Sequence, residues 1–514
     1  MNLTAIKHWA SVSLASSALF SLSACHSLAP DYSVPADTMS AQFKEQNMAP
    51  LAGWKTAQPA DQLPRGQWWK AFADPALDDL ETQALTANQG LKQAMARVQE
   101  SRAYHQGVEA RRLPALSAGV GPSRELDSQS STNAPQPATT YWRAQMNVAY
   151  EADLFGRVSD AIKASGAEAQ QSSALYHSVL LALQADVAVN YYQIRSLDAQ
   201  IKVYDDTLKL RQDALAFARS RAENGQDSDL DMMRAQTELA STQADALALS
   251  RERAVSEHSL AVLLGQAPGA FTFAPRPIEP LALRIPAGMP SALLERRPDI
   301  AAAERAMAAA NARIGVAKAA YYPSLTLTGS AGYEGNTLGK LFEGGSKAWL
   351  LGPLTGTMLN MPLFDGGKRK ADLKNARATY QEQVARYRQT VLDALREVED
   401  NLAGVRLLQQ QTQAETVAVT ASQGASRITQ AQYHEGARDY LSVLDADRST
   451  LQAQRSLAAL YGEQSIATVR LIRALGGGWS AEPATPPRHP VSLLSTARLS
   501  RAVERSKSLP CIFL

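Results

Sequence analysis

The chain has 514 residues and a formal net charge of +2, so nothing in its overall charge points to nucleic acid or to an acidic substrate. Aromatic residues make up only 6%, while Ala and Leu are the commonest residues and Gln and Arg are frequent. This composition suits long helices better than a large globular core.

At the N-terminus, Lys7 and His8 precede an apolar run from Trp9 to Ala24. A short cationic segment before such a run predicts a secretory signal over residues 1–24. Leu22-Ser23-Ala24-Cys25 resembles a bacterial lipoprotein signal, in which Cys25 becomes the lipidated first residue of the mature chain. The alternative is an ordinary signal peptide followed by a chance cysteine. His26, where an Asp would suggest inner-membrane retention, favours outer-membrane sorting. Several acyl chains on one terminus, palmitate among them, anchor firmly. After Cys25 only Cys511 remains, so no internal disulfide is expected. No later run approaches the roughly 18 apolar residues that a membrane-spanning helix needs.

Residues 25–74 read as a lipidated, extended segment that Trp68-Trp69 could pack against the body. Helical periodicity then runs from Pro75 to about Arg112 and leads into a strand pair at about 113–150. In Tyr141–Tyr150, Trp142, Ala144, Met146, Val148 and Tyr150 alternate with Arg143, Gln145 and Asn147. A proline-free helix follows from Ser159 to about Glu223, Gly225 ends it, and a return helix runs from about Ser228 to Leu264. After a linker at 266–290, the same order recurs over 291–479. Pro298-Asp299 starts a helix, Ser324–Tyr333 and Leu350–Leu363 form the strands, and Lys368–Glu435, Gly436 and Arg438–Leu475 form the hairpin. Residues 480–514 are Pro/Ser-rich and basic, and are expected to be disordered.

The two halves, 75–265 and 291–479, are one unit repeated. Leu91, Ala103, Pro114 and Phe155 match Ile300, Ala312, Pro323 and Phe364 at one constant offset. A two-residue insertion after Phe364 shifts the register, which then carries Gly156, Gly225, Leu230 and Leu264 onto Gly367, Gly436, Leu441 and Leu475. Alternating strands with aromatic ends fit a membrane β-barrel, and a soluble sandwich is the alternative. Four strands cannot close a cylinder, and an open edge in lipid leaves backbone groups unpaired. Strands in a membrane would therefore have to be shared among chains.

The chain resembles the outer-membrane factor family, the TolC-like channels, and in particular the lipoprotein branch serving RND-type efflux systems. The residues that carry the likeness are Arg297-Pro298-Asp299-Ile300, Tyr322-Pro323-Ser324-Leu325, Glu151-Ala152-Asp153-Leu154-Phe155-Gly156, Pro362-Leu363-Phe364-Asp365-Gly366-Gly367, Tyr440-Leu441-Ser442-Val443-Leu444-Asp445 and Leu475-Gly476-Gly477-Gly478-Trp479. The resemblance implies a mixed α and β fold, with a homotrimeric twelve-stranded outer-membrane β-barrel continuous with a periplasmic helical barrel. It also implies a periplasmic adaptor and an inner-membrane pump as partners, and no covalent chemistry. It places the closed pore gate at Leu441 and Asp445, and gate-tethering contacts at Tyr433, Arg438 and Asp231. Some relatives carry a second carboxylate where this chain has Ser442. Gly225 and Gly436 are helix terminators first, and their exposure at hairpin tips also suits them to adaptor docking. The alternative for Asp445 and Arg438 is a pair of solvated charges on a coiled-coil face.

No metal-ligand spacing, phosphate loop or nucleophile elbow occurs, so neither an enzyme nor a cofactor is expected. The leading reading is a passive exit duct for drugs or other toxic small molecules. Export of a secreted protein or of metal ions is the second, and a trimeric coiled-coil tether is a third, from another class.

Overall fold

The computed structural model describes residues 27–35, 43–45, 67–125, 138–224, 228–280, 297–341, 347–351 and 358–477. Cys25, Gly225, Trp479 and the basic segment 480–514 lie outside them. Helices α1 (Pro75–Ala87) and α2 (Gln89–Glu109) precede strands β1 (Ala115–Glu125) and β2 (Thr139–Ala152). A long helix α3 (Arg157–Glu223) and its return α4 (Asp229–Leu263) follow. The second half repeats this as α5 (Pro298–Ala319), β3 (Ser324–Gly335), β4 (Lys347–Leu351), β5 (Met358–Asn360), α6 (Lys368–His434) and α7 (Tyr440–Ala474). Helices α3 and α6 each contain 67 residues, and α4 and α7 each contain 35. The duplication is thus kept to the residue through both hairpins. At ~1.5 Å per residue each long helix reaches roughly 100 Å.

Two local features differ from the sequence reading. The helix expected from Pro75 to Arg112 breaks at Asn88, whose ψ is 125°. Its side chain accepts from Leu91 N at 2.9 Å and donates to Leu263 O at 2.8 Å, so the break caps α2 and ties it to the end of α4. The two-residue insertion falls before Phe364 rather than after it. Ala115 pairs with Ala149, and its counterpart Ser324 pairs with Asn360, so Asn360 already stands at the later offset. The strand expected at Leu350–Leu363 is paired to β3 in two pieces, β4 and β5, rather than as one continuous strand.

Each long helix starts behind a left-handed glycine, Gly156 (φ 75°) or Gly367 (φ 92°). Asp153 accepts from Val158 N at 3.0 Å and Ser159 N at 2.7 Å, and Asp365 accepts from Gly367 N and Arg369 N at 3.0 Å each. The two caps perform one task from different positions relative to their glycine, satisfying orphan amides at the positive end of the helix.

The strands form one antiparallel sheet in the order β1-β2-β3-β4, with β5 also paired to β3. The register segregates its faces. Leu116, Ala118, Val120, Ala144, Met146, Val148, Ala331 and Tyr333 share one, and Leu116, Val120, Met146 and Tyr333 on it are exposed. Ser117, Asn147 and Ser330 share the other face with Arg143 and Glu334, which pair across β2–β3 at 2.7 Å. An exposed apolar face backed by a polar one is the chemistry of a barrel wall between lipid and water. Among the described residues, no described helix is long and apolar enough to cross a membrane.

Below the sheet, Trp68 and Trp69 are buried among Leu77, Leu80, Tyr191, Leu260 and Ile472. Trp68 Nε1 donates to Gln184 Oε1 at 3.1 Å. The expected docking of the N-terminal segment is therefore made by both indoles. On α1, Glu81 is fully buried, and neither of its carboxyl oxygens has a hydrogen-bond partner among the described residues. Further upstream, Ser27 Oγ donates to Asp160 Oδ1 at 2.6 Å, Asn311 Nδ2 donates to Pro30 O at 2.8 Å, and Tyr32 OH donates to Glu304 Oε1 at 2.5 Å. Gly315 makes room for this stretch, since a Cβ there would lie 2.8 Å from Ala29 N.

Candidate functional site at the hairpin tips

The two hairpins end side by side around a small apolar cluster. It joins Ala218 of α3, Ala235 of α4, Tyr433 of α6 and Tyr440, Val443 and Leu444 of α7. Tyr433 lies at its centre. The Tyr440 ring is 5.6 Å away, Phe217 meets it edge-on at 6.2 Å, and the Arg221 guanidinium lies 5.6 Å from the ring centroid. Such pairs add about 0.5–1.5 kcal/mol beyond the area they bury.

The turn after α6 follows from its backbone. Gly436 (φ 76°) donates to Tyr433 O at 3.0 Å, and Ala437 N donates to Gln432 O at 2.8 Å, a glycine-dependent helix stop. Asp439 then caps α7 by accepting from Ser442 N at 3.3 Å and from the Ser442 hydroxyl. The Ser442 hydroxyl hydrogen bond holds the Asp439 carboxyl below its ordinary range. Ser442 thus belongs to the cap.

One turn above the apolar cluster sits a group of charges that the sequence did not single out. Glu238 of α4 accepts from Arg211 of α3 at 2.7 Å and from Arg448 Nε of α7 at 3.0 Å. Arg211 and Glu238 are both buried. Burial alone would raise the Glu238 carboxyl, but the Arg448 hydrogen bond and both guanidinium charges outweigh it and hold the group below its ordinary value. Beside it, Asp447 turns toward α6, accepting from Ser426 Oγ at 2.7 Å and Gln430 Nε2 at 3.0 Å. Arg448 and Glu238 lie 210 residues apart in sequence, and no local pattern announces the pair.

Leu441 and Asp445 are both exposed on α7, whereas Val443 and Leu444 between them are buried. Asp445 is 68% exposed, and its nearest cation is Arg448 at 3.8 Å. Asp231 pairs with Arg234 on its own helix at 3.1 Å. Arg438 is exposed and, among the described residues, forms no ion pair within the chain. One chain therefore gathers Tyr433 into the tip but does not bring Arg438 to Asp231.

The segregated sheet and the long paired helices define an outer-membrane channel protein that extends into the periplasm. The model of the family described as outer membrane efflux protein matches residues 80–266 and 289–477. A probable efflux pump outer membrane protein of Pseudomonas putida, TtgC, is 35% identical over 464 residues, spanning 90% of this chain and 94% of that protein. The cation efflux system protein CusC of Escherichia coli is 31% identical over 458 residues, spanning 88% and 96%. Among solved structures, the outer-membrane channel OprN superposes with a TM-score of 0.79 at 29% identity, covering 88% of this chain and 99% of its own. The open state of the Neisseria gonorrhoeae channel MtrE gives 0.74 at 28% identity, covering 88% and 98%. The chain belongs to the outer membrane efflux protein family. It is the outer-membrane component of an efflux system, a transport protein and not an enzyme.

Proposed function

We propose that three copies of the chain close one twelve-stranded barrel and continue it as a helical tube. Through that tube, drugs and other toxic small organic molecules pass passively from an inner-membrane pump and a periplasmic adaptor to the exterior. The observation that carries this reading is the sheet, whose lipid-type and water-type faces are sorted while β1 is paired on one side only among the described residues. An open edge cannot persist in hydrocarbon, so a second copy must complete it. In this reading Leu441 and Asp445 form an apolar and an acidic ring at the closed tip. Tyr433, Arg438 and Asp231 restrain it, and Gly436 and Gly225 mark the adaptor-docking turns. Residues 75–265 and 291–479 serve as the two repeats, joined through 266–290. Organic substrates are favoured because relatives at 34–35% identity are named for toluene, antibiotic or solvent efflux. Cation export is the second reading, supported by CusC. Deleting the gene and complementing it distinguishes them. Restored tolerance of antibiotics, dyes and solvents is expected, whereas restored tolerance of metal ions alone would favour the second.

Lipidation of Cys25 belongs to the same proposal. It is supported by Ser27, two positions after Cys25, which is fastened to Asp160 in the first turn of α3, a few residues from the end of β2. Cys25→Ser is expected to remove the acyl mass from the mature protein while the barrel keeps it in the outer membrane. An unacylated wild-type terminus in the mass spectrum would refute lipidation.

A further inference from the structure

The proposed acidic ring has a partner that neither the gate nor its tethers include. Arg448 lies three residues beyond Asp445 and is half-exposed. Its Nη1 faces Asp445 Oδ1 at 3.8 Å, while Nε donates to Glu238 Oε1 at 3.0 Å. Glu238 is fixed from its other side by buried Arg211 at 2.7 Å. The four side chains form a charge relay, Arg211–Glu238–Arg448–Asp445, that begins in the packed interior of the first hairpin and ends on the exposed face of the second. The register mates of Arg211, Glu238 and Arg448 in the other half are Ser422, Ser449 and Thr237, all uncharged. The relay therefore exists once per chain, beside the one hairpin that carries Asp445. A free arginine on this face would sweep a wide volume. Held at Glu238, its guanidinium can offset Asp445 only from one side and at the far limit of an ion pair.

We propose that Arg448, positioned by Glu238, sets the effective charge that Asp445 presents to the channel, and so tunes how strongly the closed tip attracts cations. This rests on the reading of Asp445 as a pore-lining acid. The two claims separate in planar bilayers. The full-length trimer is assayed for conductance and for block by added Mg²⁺, comparing wild type with Asp445→Asn, Arg448→Gln, Arg448→Lys and Glu238→Gln. Asp445→Asn is expected to abolish block. Arg448→Gln, a change at a half-exposed position that leaves the Arg211–Glu238 pair intact, should lower the half-blocking concentration about two- to fivefold, the range of an exposed ion pair. Glu238→Gln should raise it by a similar factor, because the released guanidinium can close on Asp445. Arg448→Lys keeps a cation without the fork and should fall between wild type and Arg448→Gln. If Asp445→Asn blocks like wild type, the pore-lining reading fails. If it loses block while Arg448→Gln stays at the wild-type value, the pore reading stands and the tuning role of Arg448 is wrong.

Discussion

Replacing Glu81 with Gln is expected to stabilise the folded protein by about 3 kcal/mol at pH 7, with the gain shrinking toward zero near pH 4.5. Glu81 is fully buried on α1, where Leu77, Leu80 and Ala84 belong to the Trp68 cluster, and its carboxyl oxygens are unbonded among the described residues. Burial, followed by the charge of Asp78 one turn earlier, pushes the carboxyl up to about 9 from its ordinary 4.5. The sign follows from proton binding. The folded chain holds this proton more tightly than the unfolded one. Below pH 4.5 both states are protonated and the site is neutral to stability. Between 4.5 and 9 the unfolded state ionises while the folded state does not, so each pH unit favours unfolding by about 1.4 kcal/mol. Gln has the same shape and ionises in neither state, which removes the penalty and keeps the packing. Denaturant titrations of the detergent-solubilised protein at pH 5 and pH 7.5 provide the check. A gain equal at both pH values would assign the effect to shape, and no gain at pH 7.5 would show that Glu81 is not held neutral.

Glu81 also marks where sequence reasoning stops. A glutamate in an amphipathic helix reads as a solvated face, and only the fold shows it turned inward beside Leu77 and Leu80. The long elements were legible because their signals are local and strong. Gly156, Gly367 and Gly436 have left-handed backbones at helix ends, and the alternation through Trp142–Tyr150 sorted the faces that the β1–β2–β3 register later sorted. Asn88 was missed because its cap is coupled to Leu263, 175 residues away. The insertion near Phe364 was misplaced because a repeated Leu-Phe pair attracts an alignment, whereas hydrogen-bond register counts residues directly. At the tip, the face shared by Leu441 and Asp445 could be read from helical spacing. The contacts of Arg448 could not, since Glu238 stands 210 residues earlier.

Tyr433→Ala is expected to loosen the tip far more than Tyr433→Phe, and the two together decide what holds it closed. Tyr433 is 8% exposed and packs on Tyr440, Phe217 and the Arg221 guanidinium. Truncating a buried aromatic costs roughly 3–5 kcal/mol. A single hydrogen bond contributes only about 0.5–1.5 kcal/mol net, so removing the hydroxyl alone should matter much less. The loss should stay local. Tyr433 sits in the last turn of a 67-residue helix, in a cluster separate from that of Trp68 and Tyr191. A unit with so few apolar contacts opens without unfolding the rest. Amide exchange across Tyr433–Asp445 should therefore rise by about 100-fold or more in the Ala variant and by no more than about tenfold in the Phe variant, since each 1.4 kcal/mol is a factor of ten. The thermal midpoint of the whole protein should move little in either. Closed-state conductance in bilayers should follow the same order, with Ala leaky and Phe near wild type. If Phe opens the channel as fully as Ala, the hydroxyl is the restraint, as the family resemblance suggested. If Ala lowers the thermal midpoint by many degrees, the tip is continuous with the core and cannot act as an independent gate.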